Sequence, residues 1–81
     1  MQGILIHLPR DQYDSFVARC DPLTRQYTVL KNAIIHELPE DCYAELLCTV
    51  HEADSLLNIA EHVCPKAAPH IKDAIAAPRD S

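Results

Sequence analysis

Residues 39–64 read PEDCYAELLCTVHEADSLLNIAEHVC, and the way this stretch folds decides the architecture of the chain. After Pro39 it holds neither glycine nor proline. Tyr43, Leu46, Val50, Ala53, Leu57, Ala60 and Cys64 follow one another at alternating gaps of three and four, which is the seam of an amphipathic helix. The spacing predicts one long helix over about 40–64. Leu38-Pro39-Glu40-Asp41 supplies a proline and two acids for its first turn, and Cys64-Pro65 closes it. In heptads begun at Tyr43, the g positions Cys42, Thr49, Leu56 and Val63 widen the stripe, so the helix is expected at the centre of a bundle. The same residues carry a second pattern. Cys42, Ala44, Leu46, Cys48 and Val50 alternate as in a half-buried strand, and the branched run GILIHL at Gly3–Leu8 has strand composition. The alternative is an α+β fold with strands near 3–8 and 42–50.

Outward from this stretch, Tyr13, Phe16, Val17 and Cys20 share one helical face behind Asp11, an N-cap candidate, and Asp21-Pro22 ends that segment. Leu23, Tyr27, Leu30, Ile34 and Leu38 predict a second helix over 22–38, folded back antiparallel by a turn at Leu38-Pro39, although Thr28-Val29 and Ile34-Ile35 are β-branched. Ala67, Ala68, Ile71, Ala74 and Ile75 predict a short last helix opened by Pro65. Gly3 is the only glycine in 81 residues, and tight β-turns ordinarily draw on glycine. The reading that results is all-α: a small helical bundle of three to four helices, one domain over 1–77, and a frayed tail at 78–81.

With no Trp and with Phe16 as its one Phe, the chain must build an aliphatic core, and oligomerisation becomes a natural source of added stability. The net charge of −5 resides in residues 39–64, where Glu40, Asp41, Glu45, Glu52, Asp54 and Glu61 have no Lys or Arg among them. Direct binding to nucleic acid or to an anionic membrane is disfavoured on that ground. No apolar run has the length of a membrane span, and the Ile4–Leu8 run is too short for a signal peptide. Cys20, Cys42, Cys48 and Cys64 form no C-x-x-C pair, so reduced thiols and a cytoplasmic location are expected.

No residue pattern compels an enzymatic reading, and no catalytic, cofactor-binding or metal residues are assigned. Cys48, His51, His62 and Cys64 are zinc-ligand types, but His51 and His62 would stand about 16 Å apart on one helix. Cys42 in the first turn of that helix, with His36 as a base, is the thiol-enzyme alternative. The function expected is a small acidic, non-enzymatic protein–protein interaction module, acting on another protein or on a second copy of itself as a homodimer. Its contacts would be Leu47 and Ile59, which lie outside the apolar stripe. A second alternative is an acidic inhibitor or nucleic-acid mimic, presenting Glu45, Glu52 and Glu61 to a basic partner.

Overall fold

In a computed structural model, which describes residues 3–77, the decisive stretch is divided between a strand and a helix. The elements in chain order are β1 (Ile4–Pro9), α1 (Arg10–Arg19), α2 (Arg25–Lys31), β2 (Ile34–Glu37), β3 (Cys42–Cys48), α3 (Val50–Val63) and α4 (Ala68–Ala76). The strands form one antiparallel sheet in the order β1-β3-β2. The all-α helical bundle is therefore overturned, and the α+β alternative with strands near 3–8 and 42–50 agrees with what is observed.

The division falls at Thr49. Its hydroxyl accepts from the backbone N–H of Glu52, and the Glu52 carboxylate accepts from the backbone N–H of Thr49, at 3.1 and 2.9 Å. This reciprocal pair is a capping box. It satisfies two donors left open at the start of α3, so the helix begins after Thr49 and cannot extend back through Cys42. The helical spacing from Tyr43 through Val50 to Cys64 runs across this boundary by coincidence.

The expected helix over 22–38 also divides. Thr24 caps α2 by accepting from the Tyr27 N–H, the helix ends at Lys31, and the β-branched pair Ile34-Ile35 enters β2. Leu38-Pro39-Glu40-Asp41 is a hairpin turn and not a helix start. Leu38 and Asp41 exchange both backbone hydrogen bonds, at 3.1 and 3.2 Å, around Pro39-Glu40. No residue there has a positive φ, so the hairpin closes without glycine, with proline presetting one of its two central residues. That is why a chain with a single glycine still holds a hairpin. The reversal expected at Leu38-Pro39 is kept, with strands as its arms.

Alternation sorts the sheet into two faces. Ile4, Ile6 and Leu8 on β1 pair with Cys48, Leu46 and Ala44 on β3 and are buried, with Ile35 beside Ala44. The helices supply Tyr13, Phe16, Leu30, Ala53, Leu56, Ala60 and Ile71 to the same core. The buried Tyr13 hydroxyl donates to the Leu30 carbonyl at 2.6 Å and ties α1 to the end of α2. Arg19 donates to the Val63 carbonyl at 3.1 Å, satisfying one of the open acceptors at the end of α3. Within α3 the buried stripe is Ala53, Leu56 and Ala60, so Leu57 lies to one side of it and not at its centre. The tail expected at 78–81 lies outside the described residues.

Two stability measurements check this account. Leu56, 1% exposed, should lose ~2–5 kcal/mol on truncation to Ala, and Leu57→Ala should lose clearly less. Equal losses in denaturant unfolding would favour the uninterrupted heptad register. Thr49→Ala should cost about 1 kcal/mol through loss of the cap, whereas a helix running through residue 49 would be unharmed by alanine there.

Candidate functional site

The second face of the sheet is covered much less than the first. Pairing lays out a grid on it: Pro9, Tyr43 and His36 in one row, His7, Glu45 and Ile34 in the next, then Leu5 and Leu47. Three large apolar side chains gather at one end of the grid, with Leu47 72% exposed, Ile34 59% and Leu5 54%. By register Leu5 stands opposite Leu47 and Ile34 one row away opposite Glu45, so the three share one end of the face.

The other end is polar and aromatic. The Glu45 carboxylate sits between two imidazoles, with its Oε2 3.1 Å from His7 Nε2 and its Oε1 3.7 Å from His36 Nε2. The first is a hydrogen bond in which the imidazole N–H donates. The second is within ion-pair reach but too long for a hydrogen bond. His36 Nε2 is shut off from solvent and makes no hydrogen bond, which leaves a polar atom unsatisfied beside a carboxylate. Tyr43 fills the space beside both rings, stacked on His36 at a centroid separation of 4.7 Å and tilted against His7 at 5.0 Å. His70 of α4 lines an open depression of about 290 Å³ with His7, Pro9, Asp41 and Tyr43.

The helical register that set Leu47 outside an apolar stripe does not exist, because Leu47 lies on β3; its exposure on the open face follows from strand alternation instead. Ile59 is half-buried and packs against the core, so the structure does not bring it to Leu47. The three acids do not form one surface. Glu45 belongs to the histidine cluster, Glu52 is spent on the α3 cap, and Glu61 is exposed on α3. His7, His36, Leu5 and Ile34 were missed as a group. Their signal is alternation: Leu5 and His7 are the out-facing residues of GILIHL, and Ile34 and His36 those of IIHE, which become neighbours of Glu45 once three strands are paired.

The thiols sort by burial. Cys20, Cys48 and Cys64 are buried and Cys42 is exposed, none in a disulfide. Burial, with the Glu52 carboxylate adding to it, pushes the Cys48 thiol up to about 11, so it stays protonated near neutrality. Cys42 pairs with Glu37, whereas His36 pairs with Tyr43, which places Cys42 and His36 on opposite faces of the sheet. Cys42 also lies in a strand and not at a helix start, so the helix dipole and the base required by the thiol-enzyme alternative are both lacking at this residue. Among the described residues, no three His, Cys, Asp or Glu side chains are grouped to hold a metal ion, and no helix is long and apolar enough to cross a membrane.

Comparison of the chain with protein-family models, with curated proteins and with solved structures finds no match.

Thiol labelling checks this sorting of the cysteines by burial. One thiol per native chain should react rapidly with an alkylating reagent near neutral pH, that of Cys42, and all four should react once the chain is unfolded. Rapid native labelling of Cys48 would contradict the burial of the β1–β3 core face.

Proposed function

We propose that this chain is a small, non-enzymatic protein-interaction module whose contact surface is the open face of the sheet. The observation that carries the reading is the adjacency of Leu5, Ile34 and Leu47, all largely exposed, on three paired strands. An apolar patch of this kind, bordered by polar side chains, is the usual signature of a surface that another protein covers. Aromatic Tyr43 beside it adds a rigid residue of the type that anchors such contacts. Among the described residues the face carries no Lys or Arg, which favours a protein partner over nucleic acid or an anionic membrane. Cytoplasmic residence belongs to the same proposal and rests on the use of cysteine as thiol.

The acidic-mimic alternative has less support. Two of its three carboxylates, Glu45 and Glu52, are already engaged within the chain, and the acids are divided among a hairpin, a strand and a helix.

Affinity capture from the source cells separates the two readings. Proteins retained by wild type in high salt should be lost by Leu47→Asp and Leu5→Asp, and kept by Leu23→Asp, whose site is 93% exposed off this face. The variants should fold with stability within about 0.5 kcal/mol of wild type, as expected for exposed sites. A complex that dissolves in high salt, depends on Glu61 and ignores Leu47→Asp would move the function to the acidic surface.

A further inference from the structure

The polar end of the open face holds a binding site in its own right. We propose that the depression walled by His7, Pro9, Asp41, Tyr43 and His70 takes an organic cation, a guanidinium or an alkylammonium group. That group can arrive on an arginine or lysine of a partner segment or on a small free molecule. The first source rests on the reading of the open face as the interaction surface, and the site itself does not.

The hydrogen-bonding capacity of the lining supplies the first argument. Asp41 is exposed in the hairpin, and its carboxylate makes no hydrogen bond or ion pair among the described residues. His7 donates from Nε2 to Glu45 at 3.1 Å, and a neutral imidazole with its proton there has Nδ1 as an acceptor. The Tyr43 hydroxyl accepts as well as donates. Among the described residues, no Lys or Arg lines the depression. Such a lining can accept more hydrogen bonds than it donates, and guanidinium and ammonium are ions that only donate.

Charge supplies the second. Glu45 adds its carboxylate behind His7. Arg10, next to Pro9 in the chain, is bound to Asp14 and Glu37 at 3.2 and 3.0 Å, so its charge is already met. Lys72 of α4 lines a different depression, with Glu61 and Asp73. An anion entering the site would face Asp41 and Glu45, whereas a cation enters along the field of a chain whose net charge is −5.

Shape supplies the third. Apart from Asp41, the walls are rings: Tyr43, His7, His70 and Pro9. Aromatic rings attract a cation brought near them. His36 lies on Tyr43 at an interplanar angle of 14°, whereas His7 meets Tyr43 at 47°, so the Tyr43 and His7 walls diverge instead of closing on each other. The depression, of about 290 Å³, lies at the foot of the range of about 300–1,000 Å³ usual for small-molecule pockets. It suits the head group of one side chain and not a larger ligand.

Nuclear magnetic resonance of the full chain tests this, with methylguanidinium and ethylammonium chlorides titrated in at constant ionic strength. A pH of about 8, above the ordinary imidazole range, keeps proton uptake out of the readout. Both probes should shift the signals of His7, Asp41, Tyr43 and His70 saturably. Half-saturation should come at roughly ten millimolar or above, the strength of one exposed ion pair with ring contacts. Asp41→Asn should weaken binding by about two- to fivefold, and Asp41→Glu should restore most of the loss. Asp54→Asn, which removes an exposed carboxylate from α3, should change nothing, and unaltered Ile6, Leu46 and Leu56 signals should mark each variant as folded. No shifts at these residues, or shifts equally weakened by Asp54→Asn, overturn the site. Tighter binding of inorganic phosphate at the same residues overturns the sign of its ligand.

A second probe, acetyl-Leu-Ser-Arg-amide, identifies the source of the cation. From the Leu5–Leu47 row to His7 is one step along the face, ~6.8 Å at ~3.4 Å per residue, which is also the spacing of alternate residues in an extended peptide. Binding tighter than that of methylguanidinium, with the gain lost in Leu47→Asp, supports a partner segment laid across the open face. Equal binding that ignores Leu47→Asp supports a small free cation, and the open-face reading then stands or falls on its own capture experiment.

Discussion

Strand β3 exchanges backbone hydrogen bonds with β1 on one side and β2 on the other, and its register settles what both faces of the sheet become. A slip of one residue would turn Ala44, Leu46 and Cys48 outward and carry Tyr43, Glu45 and Leu47 into the core. Burying Glu45 there without its imidazoles would cost several kcal/mol, by the usual magnitude for an unpaired charge. The register is also pinned at both ends of the strand. The Leu38–Asp41 hydrogen-bond pair fixes where β3 leaves the hairpin, and the Thr49–Glu52 box fixes where the strand stops and α3 begins. Between those points there are seven residues and no freedom to shift.

The helices follow from that arrangement. One face of a three-stranded sheet has to be covered, and a chain of this size has four short helices with which to do it. Their buried residues are small or aliphatic, apart from Phe16 and Tyr13, so the cover depends on close approach. Ala53 and Ala60 let α3 come near, and Ala67, Ala68 and Ile71 do the same where α4 packs against α3 and β1. Polar links join what apolar contact leaves open, as in the Tyr13 hydroxyl on Leu30 and the Arg19 guanidinium on Val63. Among the described residues, the helices are committed to one side of the sheet and the other is left open.

Much of this was legible in the sequence, and the failures have definite causes. Tyr13, Phe16 and Cys20 declare α1, and Cys64-Pro65 declares the end of α3, because each signal is local and unopposed. Between Cys42 and Val50 two periodicities coincide. A helical spacing fitted across Tyr43, Leu46, Val50 and Ala53 competes with strict alternation over Cys42, Ala44, Leu46 and Cys48, and composition alone does not separate them. Thr49-Val50-His51-Glu52 does, since a capping box is a start signal that the interior of a long helix has no use for. The low glycine count misled because Pro39 can shape a hairpin with ordinary φ values. The histidine cluster was illegible for a different reason. His7, His36 and Glu45 are far apart in the chain, and their meeting requires knowing that β3 lies between β1 and β2, which is a fact of topology and not of any local pattern.

Glu45 is where the fold and the proposed function meet. A central strand with one open face would be better served, for stability alone, by a β-branched or aromatic residue at that point. A carboxylate beside Leu5, Ile34 and Leu47 has another effect. It keeps the patch from associating with any apolar surface that offers nothing to the charge, as inward-pointing charges do on exposed strands. His7 already donates to that carboxylate at 3.1 Å, and His36 Nε2 stands 3.7 Å from it. On the proposed reading, the apolar residues provide the attraction and Glu45, held beside His7 and His36, limits which surfaces can use it.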